Sequence, residues 1–285
     1  MSETDNTVKR MQSIVYDILC EIDKYCRENN ITYFLSGGTC LGAVRHHGFI
    51  PWDDDGDVMM PRDDYERFVR GFKASDSERF HISSPYNDKK WHLSYTRIWD
   101  SDSRIVHKAI YAPKIGVSVD IFPIDGISPS RTKRRVYYNV IKILDTFCAE
   151  AIRKKYLSKN RFIFPRKIVS FFAKPIGPHF FGKLMNSLSK RTDYNTSEYV
   201  ACSLPAHYGE RETIEKKYMC EPVDMPFEGS VFCVPSGYDR YLTNLYGKDY
   251  MKIPDPPEDG THLDAWSVYF RKKGSANEQR KRFEE

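Results

Sequence analysis

The sequence predicts an α+β fold in which a strand-rich core is flanked by helices and interrupted by a helical insertion. The stretch 31–60 contains an aromatic and β-branched run, a Gly-Gly pair and a second apolar run, which indicate strand, short helix and strand. Segments 7–29 and 130–195 instead repeat apolar residues at helical spacing. Strands and helices in this arrangement are typical of an α+β domain.

The chain begins with an amphipathic pattern. Apolar residues at helical spacing predict a helix over 7–29, which ends at Asn29-Asn30. Residues 31–35, Ile-Thr-Tyr-Phe-Leu, then predict a buried strand.

A short helix follows that strand and is expected to run to about Arg45 and to stop at Gly48. Backbone N–H groups at a helix start can approach a phosphate closely where glycine leaves no Cβ in the way. Phosphate or nucleotide contacts are therefore predicted for the residues that open it, Ser36, Gly37, Gly38 and Thr39.

Four aspartates stand within the five positions 53–57. Residues 55–60 predict a strand, and its period of two places Asp55 and Asp57 on one face, toward the helix start. Crowded carboxylates repel one another unless a hard cation neutralises them, and oxygen ligands suit Mg²⁺. An isolated Asp-x-Asp is most often a solvated turn, but the upstream Gly-Gly favours a metal site. A calcium loop is excluded because Val58 and Asp64 replace the required Gly and Glu.

A third carboxylate lies in the apolar strand predicted over 117–122. Burying the charge of Asp120 there costs several kcal/mol unless it is paired or metal-bound. We expect Pro123 to close this strand and Asp125 to lie in the following turn. Upstream, the patterns predict a helix capped by Asp63 or Asp64 that ends near Phe72, and strands over 80–84, 92–99 and 104–107.

Basic residues and helical spacing mark 130–195 as an insertion within a single domain over 1–285, and 271–285 is expected to be a mobile tail. The stretch 161–174 is amphipathic, aromatic and cationic. Interfacial helices have this character, so peripheral contact with a membrane and packing on the core with solvated Arg and Lys are equally favoured.

Composition excludes several classes of protein. A net charge of +5 in 285 residues does not imply nucleic-acid binding. Seven cysteines without a C-x-x-C pair predict reduced thiols. The sequence shows no signal peptide and no apolar run that approaches the ~20 residues of a membrane span. We therefore expect a cytoplasmic protein, or alternatively one bound peripherally to the inner face of the membrane.

The segment GTCLGAVRHHGFIPWDDDGDVMMPRDDYERF resembles the signature of the LicD family, which includes fukutin-related proteins. The segments at 119–126 (VDIFPIDG) and 235–254 (PSGYDRYLTNLYGKDYMKIP) resemble two further blocks, so the resemblance covers most of 7–265 and is weak over 130–195. It implies a mixed-sheet nucleotidyltransferase core of the polymerase-beta type. It also implies transfer of phosphocholine from CDP-choline to a sugar hydroxyl of a surface glycan or its lipid-linked precursor, with release of CMP. Gly56 departs from the family, which usually has an aliphatic residue there, and is expected to loosen the strand.

The resemblance also implies roles for individual residues. It makes Asp55, Asp57 and Asp120 the ligands of Mg²⁺, or alternatively Mn²⁺, with Asp120 also accepting the proton of the attacking hydroxyl. Arg45 and Arg97 would bind phosphate. Substrate contacts are predicted for Trp52, Asp53, Asp54, His46, His262 and Asp264. Trp52 would cover the choline ammonium through a cation–π contact, with Trp91, Trp99 and Tyr111 as further candidates.

Other functions stay open at this point. The same fold could transfer ribitol phosphate, glycerol phosphate or phosphoethanolamine, or a nucleotidyl group. A non-catalytic nucleotide-binding relative is the alternative of a different class, and the intact aspartates argue against it. Nucleic-acid tailing is disfavoured because the basic aromatic stretch lies in the insertion.

Overall fold

The computed structural model describes residues 3–88, 91–113, 115–156, 163–254, 262–263 and 265–271. The helices in these residues are α1 Glu3–Glu28, α2 Gly37–His46, α3 Arg62–Gly71, α4 Arg131–Ala151, α5 Ile163–Ile176, α6 Pro178–Ser189 and α7 Tyr238–Tyr246. The strands are β1 Phe34–Leu35, β2 Gly56–Pro61, β3 Phe80–Ser83, β4 Thr96–Asp100, β5 Ser103–His107, β6 Ser118–Ile127, β7 Tyr199–Ala201, β8 Thr213–Glu215, β9 Pro222–Phe227, β10 Ser230–Pro235 and β11 Trp266–Phe270.

Seven of the described strands form one mixed sheet. Its main path has the order β1-β2-β6-β4-β3, and β7 and β8 continue it from the far end of β6. Strands β2 and β6 are parallel, whereas every other pair in the sheet is antiparallel. Two small antiparallel ribbons, β9 with β10 and β5 with β11, complete the strands. The predicted α+β class is therefore confirmed.

Strand β6 is longer than predicted, because Pro123 does not close it. Its antiparallel pairing with β4 ends at Ile121, and its pairing with β7 begins at Asp125. Pro123 lies between these two segments, where that edge of β6 has no ladder partner, so a residue without an N–H is tolerated. The strand thus changes partner at the proline and runs on to Ile127.

Two predicted strands are shorter in the structure. The first contains only Phe34 and Leu35 rather than residues 31–35. The strand predicted over 92–99 begins at Thr96, because the indole N–H of Trp91 donates to the Tyr95 carbonyl at 2.7 Å and holds the preceding residues in a local turn.

Helix α1 confirms the predicted amphipathic helix, although it begins earlier, and packs on the sheet. A Cβ added at Gly56 would lie 2.4 Å from a methyl carbon of Val15 on this helix. Gly56 is fully buried in β2. Its missing side chain lets α1 approach β2, and the expected loosening of the strand stays a prediction.

Asp125 forms a buried ion pair rather than a turn. The Nε of Arg62 donates to Asp125 at 2.7 Å, and the Nη1 and Nη2 of the same side chain donate to Asn186 and Ser189 of α6 at 3.0 Å. Arg62 opens α3, whose N-cap position is Pro61, so the predicted caps lie inside the first turn. The ion pair therefore ties α3, β6 and α6 together.

The helices α4, α5 and α6 pack around a second, smaller apolar cluster. The division into one domain with an insertion stays a prediction, and residues 161–162 and 272–285 lie outside the described part of the chain. All seven cysteines are free. No helix among the described residues is long and apolar enough to span a membrane.

Candidate active site

A cavity of about 400 Å³ opens where the start of α2 meets the ends of β2, β6 and β4. Carboxylates line one part of it, and the residues concerned are Asp53, Asp55, Asp57 and Asp120. Asp57 and Asp120 are register partners on the parallel strands β2 and β6, and Arg97 on β4 is the register partner of Asp120. Residues directly opposite on neighbouring strands share a face of the sheet, so these three side chains form one row.

Glycine at the start of α2 lets the carboxylates approach the helix. A Cβ added at Gly37, which has a φ of 51°, would lie 3.2 Å from Oδ2 of Asp57. A Cβ at Gly38 would lie 2.9 Å from Oδ2 of Asp53. The positive end of the helix dipole therefore faces both acids, which favours negative charge at this point.

The backbone N–H of Gly37 already has a partner. It donates to the hydroxyl of Tyr241 on α7 at 3.1 Å, and that hydroxyl also lies 3.1 Å from Oγ of Ser36. Thr39 accepts the backbone N–H of Asp57 at 2.9 Å and so fixes β2 against α2. Ser36, Gly37 and Gly38 line the cavity, whereas Thr39 supports it from behind.

Burial and mutual repulsion raise the pKa values of the acidic cluster, Asp53, Asp55 and Asp57. Removal from water and the charge of Asp55 raise the pKa of both Asp53 and Asp57 well above the usual range. The pKa of Asp55 is raised as well, chiefly by burial, with the nearby His262 opposing the rise. A cation bound here would offset the repulsion between these carboxylates and lower their pKa values.

Arg97 clamps Asp120 in a bidentate ion pair. Its Nε donates to Oδ1 at 2.5 Å and its Nη2 donates to Oδ2 at 2.9 Å. Both side chains are at least four-fifths buried. In the structure Arg97 contacts the carboxylate of the predicted base, and its predicted contact with phosphate stays a prediction.

The chemistry of the donor set fits a hard divalent cation, because Asp53, Asp55 and Asp57 offer crowded carboxylate oxygens that line the cavity. The side chains are not arranged as a complete metal site, since within the described ranges no three His, Cys, Asp or Glu side chains converge on one point. Arg97 occupies both oxygens of Asp120.

His262 and Asp54 form a pair at the edge of the cavity. The ring nitrogen Nδ1 of His262 lies 2.8 Å from one oxygen of Asp54, and the backbone N–H donates to the other at 2.9 Å. The ring stacks on Trp266 with centroids 4.6 Å apart. The hydrogen bond to Asp54 raises the pKa of His262. His262 thus lines the cavity, while the fully buried Asp54 holds it from behind.

Other predicted contacts lie away from the cavity lining. Arg45 donates to the carbonyl of Tyr250 and to His46, each at 2.9 Å. Trp52 packs against the main core. Arg45, His46 and Trp52 do not line the cavity, and Asp264 lies outside the described residues.

The further tryptophan and tyrosine candidates are also elsewhere. Trp91 is buried, Trp99 donates to Oγ of Ser83 at 3.1 Å, and Tyr111 is largely exposed. Sequence reasoning missed a different wall of the same cavity, formed by Tyr208, Glu212, Tyr241 and Tyr246. The available signal was the tyrosine-rich segment 238–246, to which no role was given.

Comparison with known proteins adds the family. The family model for the LicD/FKTN/FKRP nucleotidyltransferase domain matches residues 30–174, which contain all the aspartates of the cavity. The chain belongs to the LicD family. It is 30% identical over 265 residues to the lipopolysaccharide cholinephosphotransferase LicD of Haemophilus influenzae, an alignment that covers 89% of this chain and 94% of that protein.

Shorter matches link this LicD-family chain to two uncharacterized Rickettsia proteins. It is 41% identical over 54 residues to RT0683 of Rickettsia typhi and 42% identical over 50 residues to RP689 of Rickettsia prowazekii. Each match covers less than a fifth of either chain. The family resemblance inferred from the sequence is therefore confirmed.

Proposed function

We propose that this LicD-family chain transfers phosphocholine from CDP-choline to a sugar hydroxyl of lipopolysaccharide, a related surface glycan or its lipid-linked precursor, and releases CMP. The observation that carries the proposal is the gathering of Asp53 and Asp57 at the glycine start of α2 in one cavity. The 30% identity to a lipopolysaccharide cholinephosphotransferase over most of the chain supports the choice of transferred group.

The proposed core is a nucleotidyltransferase fold. The parallel pair β2 and β6, with Asp57 opposite Asp120, supports it, and so does the match to a nucleotidyltransferase family model.

Asp55 and Asp57, with Asp120 as third ligand, would hold Mg²⁺ or Mn²⁺. When bound, the ion would neutralise the charge of the donor diphosphate. The acceptor oxygen bonds to the phosphorus that carries choline, and the bond from that phosphorus to the oxygen of CMP breaks. Asp120 would take the hydroxyl proton, and Arg97, which pairs with both oxygens of Asp120, would have to release one of them.

The start of α2 binds the donor phosphates in this scheme. Gly38 offers the closest approach, because the N–H of Gly37 is held by Tyr241. His262, oriented by Asp54, lies on the acceptor side and helps to exclude water.

A cytoplasmic enzyme with peripheral membrane contact through 161–174 completes the proposal. In the described part of this segment, Phe164, Phe171 and Phe172 are mostly exposed. Exposed Lys167 and Lys174 lie on the same helix, α5. Apolar side chains flanked by cations match an anionic lipid surface, and a lipid-linked acceptor would be found there.

The test is CMP release, measured by chromatography, from CDP-choline, CDP-ethanolamine, CDP-glycerol and CDP-ribitol with Mg²⁺ and a lipopolysaccharide acceptor. Release from CDP-choline that is lost with chelator and in Asp57→Asn, but kept in the exposed control Asp249→Asn, is expected. Release from another CDP-alcohol alone would overturn the choice of donor. If no donor yields CMP although the nucleotides bind, the chain is a non-catalytic relative.

A further inference from the structure

Glu212 is a buried acid in the cavity wall, which is lined here by tyrosines rather than aspartates. Its exposed fraction is 7%, and its Oε2 has no hydrogen bond to any described residue. Burial raises the pKa of Glu212 to about 8. A buried carboxyl oxygen without a hydrogen bond is rare in native proteins and destabilising, which points to a ligand that supplies the missing partner.

The groups around Glu212 are aromatic and neutral. It interacts electrostatically with Tyr208 and with Tyr241, and both line the cavity beside it. The rings of Tyr208 and Tyr246 meet edge to face with centroids 5.7 Å apart. We call Tyr208, Glu212, Tyr241 and Tyr246 the tyrosine wall.

No protein cation competes for this acid. Among the described residues that line the cavity, Arg97 is the one lysine or arginine, and its guanidinium is bound to Asp120. The remaining basic groups there are the imidazoles of His207 and His262, and His262 is bound to Asp54. A cationic ligand would thus meet an acid and aromatic faces.

The tyrosine wall is continuous with the acidic end of the cavity. A Cβ added at Gly37 would lie 3.7 Å from the hydroxyl of Tyr246 and 3.2 Å from Asp57. The hydroxyl of Tyr241 accepts the N–H of the same glycine. A molecule whose phosphate sits at the start of α2 therefore reaches the tyrosine wall with its next few atoms.

We propose that the tyrosine wall binds the quaternary ammonium end of the donor, with Glu212 as its counter-ion and the rings of Tyr208 and Tyr246 against its methyl groups. Aromatic faces beside a carboxylate are suited to such cations, which cannot donate a hydrogen bond. The inference rests on the proposed function and deepens it, because it assigns the residues that distinguish choline from a neutral alcohol.

Affinity for CMP, CDP-choline and CDP-glycerol, measured by calorimetry with Mg²⁺, tests the inference in the wild type, in Glu212→Gln and in the matched control Glu215→Gln. Glu212→Gln is expected to weaken CDP-choline binding about tenfold or more and to change CMP and CDP-glycerol binding less than twofold. Equal weakening of all three would make Glu212 a nucleoside contact, and an unchanged affinity for CDP-choline would make it a structural acid. Either result overturns the inference and leaves the proposed function standing.

A second pair of variants keeps the test sound if Glu212→Gln does not fold. Tyr208→Phe keeps the ring and is expected to retain affinity for CDP-choline, whereas Tyr208→Leu is expected to lose it. Equal affinities in these two variants would contradict the role of the ring. If the wild type binds none of the cytidine nucleotides, the proposed function fails and the inference fails with it.

Discussion

Asp54 holds His262 with both of its oxygens, one on the ring nitrogen and one on the backbone N–H of the same residue. The two residues are 208 positions apart in the chain. This contact fastens the C-terminal segment over the acidic cavity and sets the direction of the imidazole, which also lies 3.9 Å from Asp55.

Asp54→Asn is expected to lower kcat for CMP release about tenfold to a hundredfold, while leaving the affinity for the nucleotide nearly unchanged. The amide keeps one acceptor but loses the charge that orients the imidazole, and carboxylates that orient metal-bound imidazoles contribute about that much to activity. Steady-state kinetics measure the split between kcat and KM. Asp102→Asn, which alters an exposed contact to Arg271, is the control. A variant of Asp54 with unchanged kcat would show that the orientation of His262 has no part in the reaction.

Arg97→Met is expected to lower the free energy of unfolding by about 3–5 kcal/mol, because it leaves the largely buried Asp120 without its partner. If the cavity carboxylates bind a divalent cation, Mg²⁺ should raise the melting temperature of this variant by more than it raises that of the wild type. Thermal melts with and without Mg²⁺ measure this. Arg67→Met removes an exposed ion pair and serves as the control. Equal effects of Mg²⁺ on all three proteins would contradict a metal ligand at Asp120.

The sequence predicts the parts of the site that are local and misses those that are assembled across the chain. Asp55 and Asp57 follow from a period of two beside a glycine helix start that lies about 20 residues upstream. The contact of Tyr241 with Gly37 spans 204 positions, and no local pattern indicates it. The clamp of Arg97 on Asp120 depends on the register of β4 against β6, which tertiary packing decides.

The fold shows the same division. Amphipathic spacing predicts α1 because one face of a helix is a property of the local sequence. The passage of β6 through Pro123 depends on which strands flank it, and that information lies in β4 and β7.

Gly56→Ala is expected to destabilise the protein by about 1–3 kcal/mol, because the added methyl group would meet Val15 of α1 at 2.4 Å. Urea unfolding measures the loss. The double variant Val15→Ala with Gly56→Ala should be more stable than the sum of the single changes predicts, since the smaller residue makes room for the new methyl group. Additive losses would indicate that the strain lies elsewhere in β2.

Acid should destabilise the fold partly through His92. Burial and the nearby charges of Arg97 and His107 lower the pKa of His92 to about 3 from an ordinary value of 6.5. The unfolded chain therefore binds a proton between these values that the folded chain does not. Above pH 6.5 this group does not lower the free energy of unfolding. As the pH drops from 6.5 toward 3, the free energy of unfolding falls by roughly 3–5 kcal/mol in all.

His92→Gln removes this titration, so its free energy of unfolding should depend less on pH between 6.5 and 4 than that of the wild type. Urea unfolding at a series of pH values measures the slopes. The partly exposed His179 provides the control His179→Gln, which should follow the wild type. Parallel curves for the wild type and His92→Gln would assign the acid sensitivity to other groups.

The exposed face of α5 leads to a prediction about membranes. Replacing Phe164, Phe171 and Phe172 together by Ser is expected to reduce cosedimentation with vesicles of phosphatidylglycerol and phosphatidylethanolamine about tenfold or more. These side chains are 74%, 74% and 59% exposed, so their replacement removes apolar area from the surface without opening the core. Because Lys167 and Lys174 would add an electrostatic attraction, binding by the wild type should also weaken as salt rises. The matched control replaces three exposed apolar residues elsewhere, Val231, Met251 and Ile253, by Ser. An equal loss in both triple variants would mean that general surface hydrophobicity, and not the face of α5, determines vesicle binding.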